Sequence, residues 1–223
     1  MHLFIVEGSH LEAELRRKFG PQHTYDFCPG TSFDLLTRLG AADVAFDLRP
    51  WPELHYERPR QPLFYDTTRH SLAQLFHHEE APLGPVFGLC AVPTLLDRRL
   101  LEVSLYNAAD APALATVCAG LGTEYRVVAE RVGLVTPRIV SMIINEACYT
   151  LQEGTASVQD IDLGMKLGTN YPHGPFEWAN AIGVARVYDI LEALYQDTHE
   201  ERYKACPLLK HMALRGESFA LAV

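Results

Sequence analysis

Five cysteines, Cys28, Cys90, Cys118, Cys148 and Cys206, are the residues best able to do chemistry unaided. A thiolate can act as a nucleophile, ligate a metal or join a disulfide. The thiols are odd in number and scattered, and none forms a Cys-x-x-Cys pair. Their pattern therefore predicts neither a disulfide framework nor a structural zinc site, and no metal is expected. Read alone, they are buried, reduced thiols. The formal net charge of −9 argues against a nucleic-acid partner, because the phosphate backbone draws Lys/Arg-rich faces. It does not select a small molecule.

Whatever these residues do, the elements around them must position them. The chain has 223 residues, 48% hydrophobic and 21% charged, enough for one large domain or two small ones. No apolar run reaches the ~18 residues of a membrane span. The opening Met1–Gly8 lacks a basic leader region and reads as a strand, so a cytoplasmic chain with no membrane partner is expected. Strands are predicted at 3–6, 24–27, 42–47, 63–65, 86–89, 100–105 and 124–129. Helices are predicted at 9–19, opened by a Ser9/Glu12 capping box and closed by Gly20, at 33–39, and at 113–121 after Pro112. Four prolines (50, 52, 59 and 62) make the stretch between residues 50 and 62 irregular. Strands alternating with helices indicate an α/β layer.

From Pro137 the period becomes helical. Ile139, Ile143, Ala147 and Leu151 share a face flanked by Val140, Ile144 and Cys148, which predicts a helix buried over most of its girth. Ser157/Asp160 cap a second helix ending at Gly168. Gly174-Pro175 opens a third, interrupted at Gly183, and Pro207 starts a last one ending at Gly216. The expected domains are residues 1–128 and 129–223.

The second segment carries an ordered motif series: Asn145-Glu146-Ala147, Glu153-Gly154, Asp160-Ile161-Asp162, Gly168 to Glu177, Ile182-Gly183, Leu191 to Tyr195, Arg202-Tyr203 and Pro207-Leu208-Leu209. This series resembles the helical domain of 3-hydroxyacyl-CoA dehydrogenases. The resemblance implies a Rossmann-like sheet domain, here shortened, followed by an all-helical dimerisation domain. In the family this helical domain pairs two subunits and forms one side of an acyl-CoA cleft. The match extends backwards through Ala41–Leu48, Tyr65–His70, Gly88–Val103 and Val132–Arg138.

The resemblance also implies site positions. Family members oxidise a secondary alcohol with NAD, using a His base, a Glu that orients it, and Ser and Asn groups on the substrate oxygens. Here the His position is Cys90, the Glu is kept as Glu102, the Asn position is Pro137 and the Ser position is Thr68. A nearby carboxylate disfavours a thiolate, the wrong direction for a base at pH 7, so Cys90 reads as a structural thiol. Glu102 reads as a strand-end acceptor or an acid.

The cofactor turn reads Val6-Glu7-Gly8-Ser9-His10-Leu11, with one glycine where Gly-x-Gly-x-x-Gly lets amides approach a pyrophosphate. Asp26 falls near the ribose-binding acid, a relic or a structural residue. About 20 residues separate it from the next strand, fewer than the roughly 30 of a βαβ unit.

No cofactor is therefore expected where the family uses NAD. Three readings stand. The chain is a degenerate relative holding an acyl-CoA or similar thioester without NAD-dependent turnover, an active oxidoreductase with an altered site, or a non-catalytic interaction subunit. The interaction subunit of the third reading would pair with a full-length dehydrogenase, whereas the chain is otherwise expected to form a homodimer. The motivation is that Ile139, Ile143, Ile144, Phe176, Trp178, Val187 and Leu191 offer more apolar surface than one helical layer hides.

Overall fold

The computed structural model describes residues 1–54, 59–77, 80 and 82–221. Part of the proline-rich stretch, residues 55–58, lies outside them. The chain divides into two compact units, Met1–Leu134 and Val135–Val223. This division falls beyond residue 128 because the intervening segment stays tied to the first unit. Val128 N donates to Val103 O (2.9 Å) and Gly133 N to Thr67 O (3.1 Å).

The first unit is built on seven strands: β1 (His2–Val6), β2 (Thr24–Cys28), β3 (Val44–Asp47), β4 (Leu63–Asp66), β5 (Val86–Leu89), β6 (Leu100–Leu105) and β7 (Glu124–Val127). Their order in the sheet is β2-β1-β3-β4-β5-β6-β7, with only the β5–β6 pairing antiparallel. The doubly wound dinucleotide-binding order places a further strand outside β2. Here β2 is the edge, so the sheet is Rossmann-like and shortened. Helices α1 (Glu12–Phe19), α2 (Leu35–Gly40), α3 (Leu72–Leu75) and α4 (Ala111–Leu121) flank it.

Strand periodicity sorts the apolar residues onto two faces. Leu3, Ile5, Phe46, Phe64, Phe87 and Leu89 meet Leu15 and Phe19 of α1 and Leu114, Val117, Cys118 and Leu121 of α4. Phe4, Val6, Ala45, Leu63 and Tyr65 meet Leu39, Leu72, Leu75 and Phe76. A ladder of rings, Phe19–Phe46–Phe64–Phe87, crosses the first face with centroids 5.7, 5.1 and 5.0 Å apart.

The first predicted helix starts late. Ser9–Leu11 is a 3₁₀ turn, and no side chain caps it or α1. Gly8 lets this turn sit close against β1, since a Cβ there would lie 2.2 Å from Ile5 Cγ2. The second helix also starts after Phe33, which is fully exposed.

The second unit contains α5 (Thr136–Gln152), α6 (Val158–Thr169), α7 (Pro175–Ile182), α8 (Val184–Thr198) and α9 (Pro207–Arg215). Ser157 caps α6, accepting from Asp160 N at 3.2 Å. Asn170 in the left-handed region ends it, and Gly168 stays inside the helix. Asp162 of α6 caps α7, accepting Phe176 N at 2.7 Å and Glu177 N at 3.0 Å.

Burial on α5 differs from the expected girth-wide pattern. Val140, Ile144 and Cys148 are covered, whereas Ile139 is 53% exposed and Ile143 half-buried. Ile144, Phe176, Trp178, Val187 and Leu191 are all buried within the chain, so they are not the surplus apolar surface their types suggested. The exposed apolar residues of this unit are instead Val135, Ile139, Leu163, Leu167, Leu214 and Leu221 among those described. No helix of the described residues is long and apolar enough to cross a membrane.

Candidate functional site

Cys90 and Glu102 are brought together by strand register. In the antiparallel β5–β6 pair Gly88 lies opposite Ser104 and Leu89 opposite Val103, so one further step sets Cys90 opposite Glu102. Period-2 alternation puts both on the same face. A separation of twelve residues is thus what this pairing requires for a cross-strand couple.

The environment of the couple does not make a base. Cys90 is 2% exposed, and burial, Asp66 and Glu102 push its thiol up well above the ordinary value. The Val92 amide and Arg98 oppose that shift without reversing it. Glu102 is itself buried and accepts from Arg98 NH2 at 3.1 Å, while Arg98 Nε donates to Leu95 O at 3.1 Å. Arg98 thus takes the carboxylate that would orient a histidine.

Thr68 follows β4. Its hydroxyl donates to Asp66 Oδ1 at 2.8 Å and is buried. The same oxygen accepts Thr68 N at 3.1 Å and Ala91 N at 3.4 Å. Asp66 is the organiser that residue-type reasoning missed. It staples the loop after β4 to the loop after β5, and its signal was an Asp at a strand end two residues before a Thr, an Asx-turn pattern. The β5–β6 loop is held further by Glu14 of α1, which accepts Thr94 N at 2.9 and 3.1 Å. Pro137 opens α5 in the second unit and has no side-chain donor or acceptor.

In open α/β sheets dinucleotides bind where strand order reverses, above the C-terminal ends of the strands. That point lies here between β1 and β3. A pyrophosphate needs free amides at a helix N-terminus. Glu7 instead occupies the turn, and its carboxylate accepts Gly30 N at 2.9 Å. The helix behind it opens with Glu12 and Glu14.

At the end of β3, Asp47 is fully buried and ion-paired with Arg49 at 2.6 Å, and it also accepts Glu53 N and Leu54 N at 2.9 Å each. Asp26 lies inside β2 opposite Phe4, two residues short of the strand end where a ribose-binding acid would stand. It is bonded to both Arg38 Nε and the Arg38 guanidinium tip. The Arg38 hydrogen bond is the main reason its carboxyl is held below the ordinary range. Gly8 serves close packing. These residues do not fit a dinucleotide held in the usual way.

Outside the positions predicted from sequence, Trp51 is 53% exposed on the loop after β3 and packs edge-on against His70, centroids 4.3 Å apart. Among the described residues no cluster of three or more His, Cys, Asp or Glu side chains could hold a metal ion.

Fold and site define a class: a shortened Rossmann-like sheet unit and an all-helical unit, with a Cys/Glu couple across β5 and β6. Residues 133–219 match the family model of the 3-hydroxyacyl-CoA dehydrogenase C-terminal domain. The chain is 48% identical over 87 residues to 3-hydroxyadipyl-CoA dehydrogenase of Escherichia coli, which is 39% of this chain and 18% of that protein. It is 40% identical over 91 residues to 3-hydroxybutyryl-CoA dehydrogenase of Bradyrhizobium diazoefficiens, 41% of this chain and 31% of that protein. A probable 3-hydroxybutyryl-CoA dehydrogenase of Bacillus subtilis is 36% identical over 118 residues, 53% of this chain and 40% of that protein.

These matches therefore span less than half the length of each relative. In fold, the chain is similar to (S)-3-hydroxybutyryl-CoA dehydrogenase PaaH1 from Ralstonia eutropha, with a TM-score of 0.72 at 21% identity over 96% of this chain and 94% of that one. It is also similar to M. tuberculosis FadB2, with a TM-score of 0.76 at 17% identity over 96% and 93% of the two chains. The family match is thus to the C-terminal domain of 3-hydroxyacyl-CoA dehydrogenases, over residues 133–219 of this chain.

Proposed function

We propose that the chain holds an acyl-CoA or related thioester without ordinary NAD-dependent turnover. The relatives named for 3-hydroxyadipyl-CoA and 3-hydroxybutyryl-CoA supply the ligand class. The observation that carries the loss of turnover is the Cys90 thiol, buried and kept protonated between two carboxylates, at the position of the family base. A general base must be able to accept a proton near the working pH, and a thiol that already holds its proton cannot do so. Two further observations support the reading: the carboxylate-filled turn at Glu7 and the capture of Glu102 by Arg98.

Two measurements test this. Calorimetry with NADH is expected to give no binding in the low micromolar range, whereas titration with 3-hydroxybutyryl-CoA is expected to give saturable heat. Absorbance assays with short- and long-chain 3-hydroxyacyl-CoA are expected to show no NADH production. Turnover near ~1–10 s⁻¹, ordinary for an enzyme, would establish the altered-site oxidoreductase instead.

The helical unit further supports a homodimer. Ile139, Leu163 and Leu167 are exposed, and the same unit carries a mostly apolar hollow of about 380 Å³ lined by Ile143, Ala147, Ile161, Met165 and Pro175 together with Glu146 and Asp160. Exposed apolar surface beyond single scattered residues marks an interaction face. Co-purification of a full-length dehydrogenase in place of self-pairing would favour the interaction-subunit reading.

A further inference from the structure

We infer that a hollow between the last turn of α1, the loop before β6 and the turn before β7 is an anion site. It takes the phosphate dianion, free or as the head of a small phosphomonoester, with Lys18 as its central cation. The site lies wholly within the first unit and does not rest on the acyl-thioester reading.

Three elements meet there. The β6–β7 register sets Leu100 opposite Glu124, which brings the residues before each strand, 97–99 and 122–123, to the same sheet edge. Arg17 and Lys18, in the last turn of α1, close the third side. Arg17 Nε donates to Asp97 Oδ2 at 2.8 Å, and Lys18 Nζ donates to Arg98 O at 2.5 Å and to Arg99 O at 2.9 Å. The hollow measures about 260 Å³, and its lining includes Arg17, Lys18, Asp97, Arg98, Arg99 and Glu124. That is below the ~300–1,000 Å³ of an ordinary organic-ligand pocket, so it suits a small ligand.

The charges choose the sign of that ligand. Four cations face two carboxylates across the hollow, in a chain whose formal net charge is −9. Arg17 is paired with Asp97, Arg99 with Glu124 at 3.1 Å, and Arg98 with Glu102, which is not part of the lining. Lys18 is the cation left over. It is half-buried, and among the described residues no carboxylate lies within ion-pair distance of it. Two of its three N–H donors are spent on the carbonyls and one remains, while Arg17 keeps its terminal amino groups. The carbonyl ends of α1 and α4 offset part of this charge, but none of their carbonyls accepts from Lys18. Burial, and then the Arg98 cation, hold the Lys18 ammonium below its ordinary value, with Asp97 and Glu124 opposing. A dianion seated in the hollow would relieve that stress and meet the unspent donors, since charge-assisted hydrogen bonds to phosphate are the strong ones.

The test is a phosphorus NMR titration of the full chain with inorganic phosphate at mildly alkaline pH, where phosphate is a dianion, with chloride holding the ionic strength constant. Binding is expected to be saturable. Glycerol phosphate is titrated beside it: tighter binding of the ester makes a phosphomonoester the natural ligand, and equal or weaker binding makes it free phosphate. Lys18→Gln keeps a donor for the two carbonyls and removes the charge, so it should weaken phosphate by about 10-fold or more, as loss of a charged hydrogen-bond donor does. Lys204→Gln removes the same charge from an exposed position in the second unit and should leave the affinity unchanged.

Absence of saturable phosphate binding would overturn the inference. So would an affinity unchanged by Lys18→Gln, or an equal loss in Lys18→Gln and Lys204→Gln, which would mean diffuse attraction in place of a site. Should circular dichroism show that Lys18→Gln has lost its fold, Arg99→Gln takes its place. The Arg99 side chain is 86% exposed, so folding does not depend on it, and its loss should weaken phosphate by about 2- to 10-fold. An unchanged affinity in that variant would overturn the inference equally.

Discussion

Single side chains decide how this site differs from the family pattern. Restoring Cys90→His together with Pro137→Asn is expected to leave NADH production at background in the absorbance assay. Glu102 stays engaged by Arg98, and Glu7 stays in the turn that should bind pyrophosphate. The thiols themselves should be inert. All five are buried, with Cys90 and Cys148 raised strongly and Cys118 pushed up to about 11, in each case chiefly by burial. Ellman's reagent at pH 8 should therefore titrate them only after denaturation, and rapid reaction of one in the native chain would contradict the assigned burial.

Asp26 sets a pH dependence. Its folded pKa lies below its unfolded value, so its contribution is complete above the ordinary carboxylate range and is lost as pH falls through the lowered value. Arg38→Ala should cost about 1 kcal/mol or less at neutral pH, because the pair is partly solvated. It should also move the acid-unfolding midpoint, followed by circular dichroism, to higher pH.

At the scale of elements, the sheet rests on its ring ladder. Phe64 is fully buried at its centre, between Phe46 and Phe87. Phe64→Ala should cost about 3–5 kcal/mol by chemical denaturation, since the transfer loss is compounded by the cavity left among stiff neighbours. Gly8→Ala is the opposite case, an overpacking at the β1–α1 turn. A Cβ at 2.2 Å from Ile5 Cγ2 forces a shift worth about 1–3 kcal/mol. If the glycine were instead kept for a phosphate, the substitution would leave stability unchanged and alter only ligand binding.

Strand positions were legible because buried parallel strands read as apolar runs between turns, and β1, β3, β4, β5 and β6 fall where those runs are. The α6 terminus was not. Gly168 looked like the usual stop, but the chain turns left-handed at Asn170. Likewise Asp162, which reads as a surface acid on α6, is buried as the cap of α7, a partner 14 residues away that helical spacing does not reveal.

For the whole molecule the expectation is self-association through the helical unit. Sedimentation equilibrium at micromolar concentration should give a species of twice the 25.0 kDa chain. Leu167→Glu, at a site 78% exposed in the single chain, should shift it to monomer without loss of helix content. A folded 25.0 kDa species persisting into the tens of micromolar would show that the helical unit needs no partner, since a micromolar association would be near saturation there.

What the sequence determined by itself was local or rode on an ordered motif series. It carried the two-unit layout, the alternation of strands and helices, the shortened stretch that leaves β2 at the sheet edge, and the family likeness of the second segment, because turn residues and apolar period are written into neighbouring positions. It also named Cys90 and Glu102, since one antiparallel pairing converts a twelve-residue spacing into a cross-strand contact. Only the tertiary structure decided what those groups are worth. Whether Asp26 is open to a ribose, whether Glu102 is available to a histidine, and whether Ile144 or Ile139 is the uncovered face depend on Arg38, Arg98 and the packing of α8. These partners arrive from other elements. Charge pairing and burial are set by distance in space, and a single sequence does not encode that distance in any spacing that can be read directly.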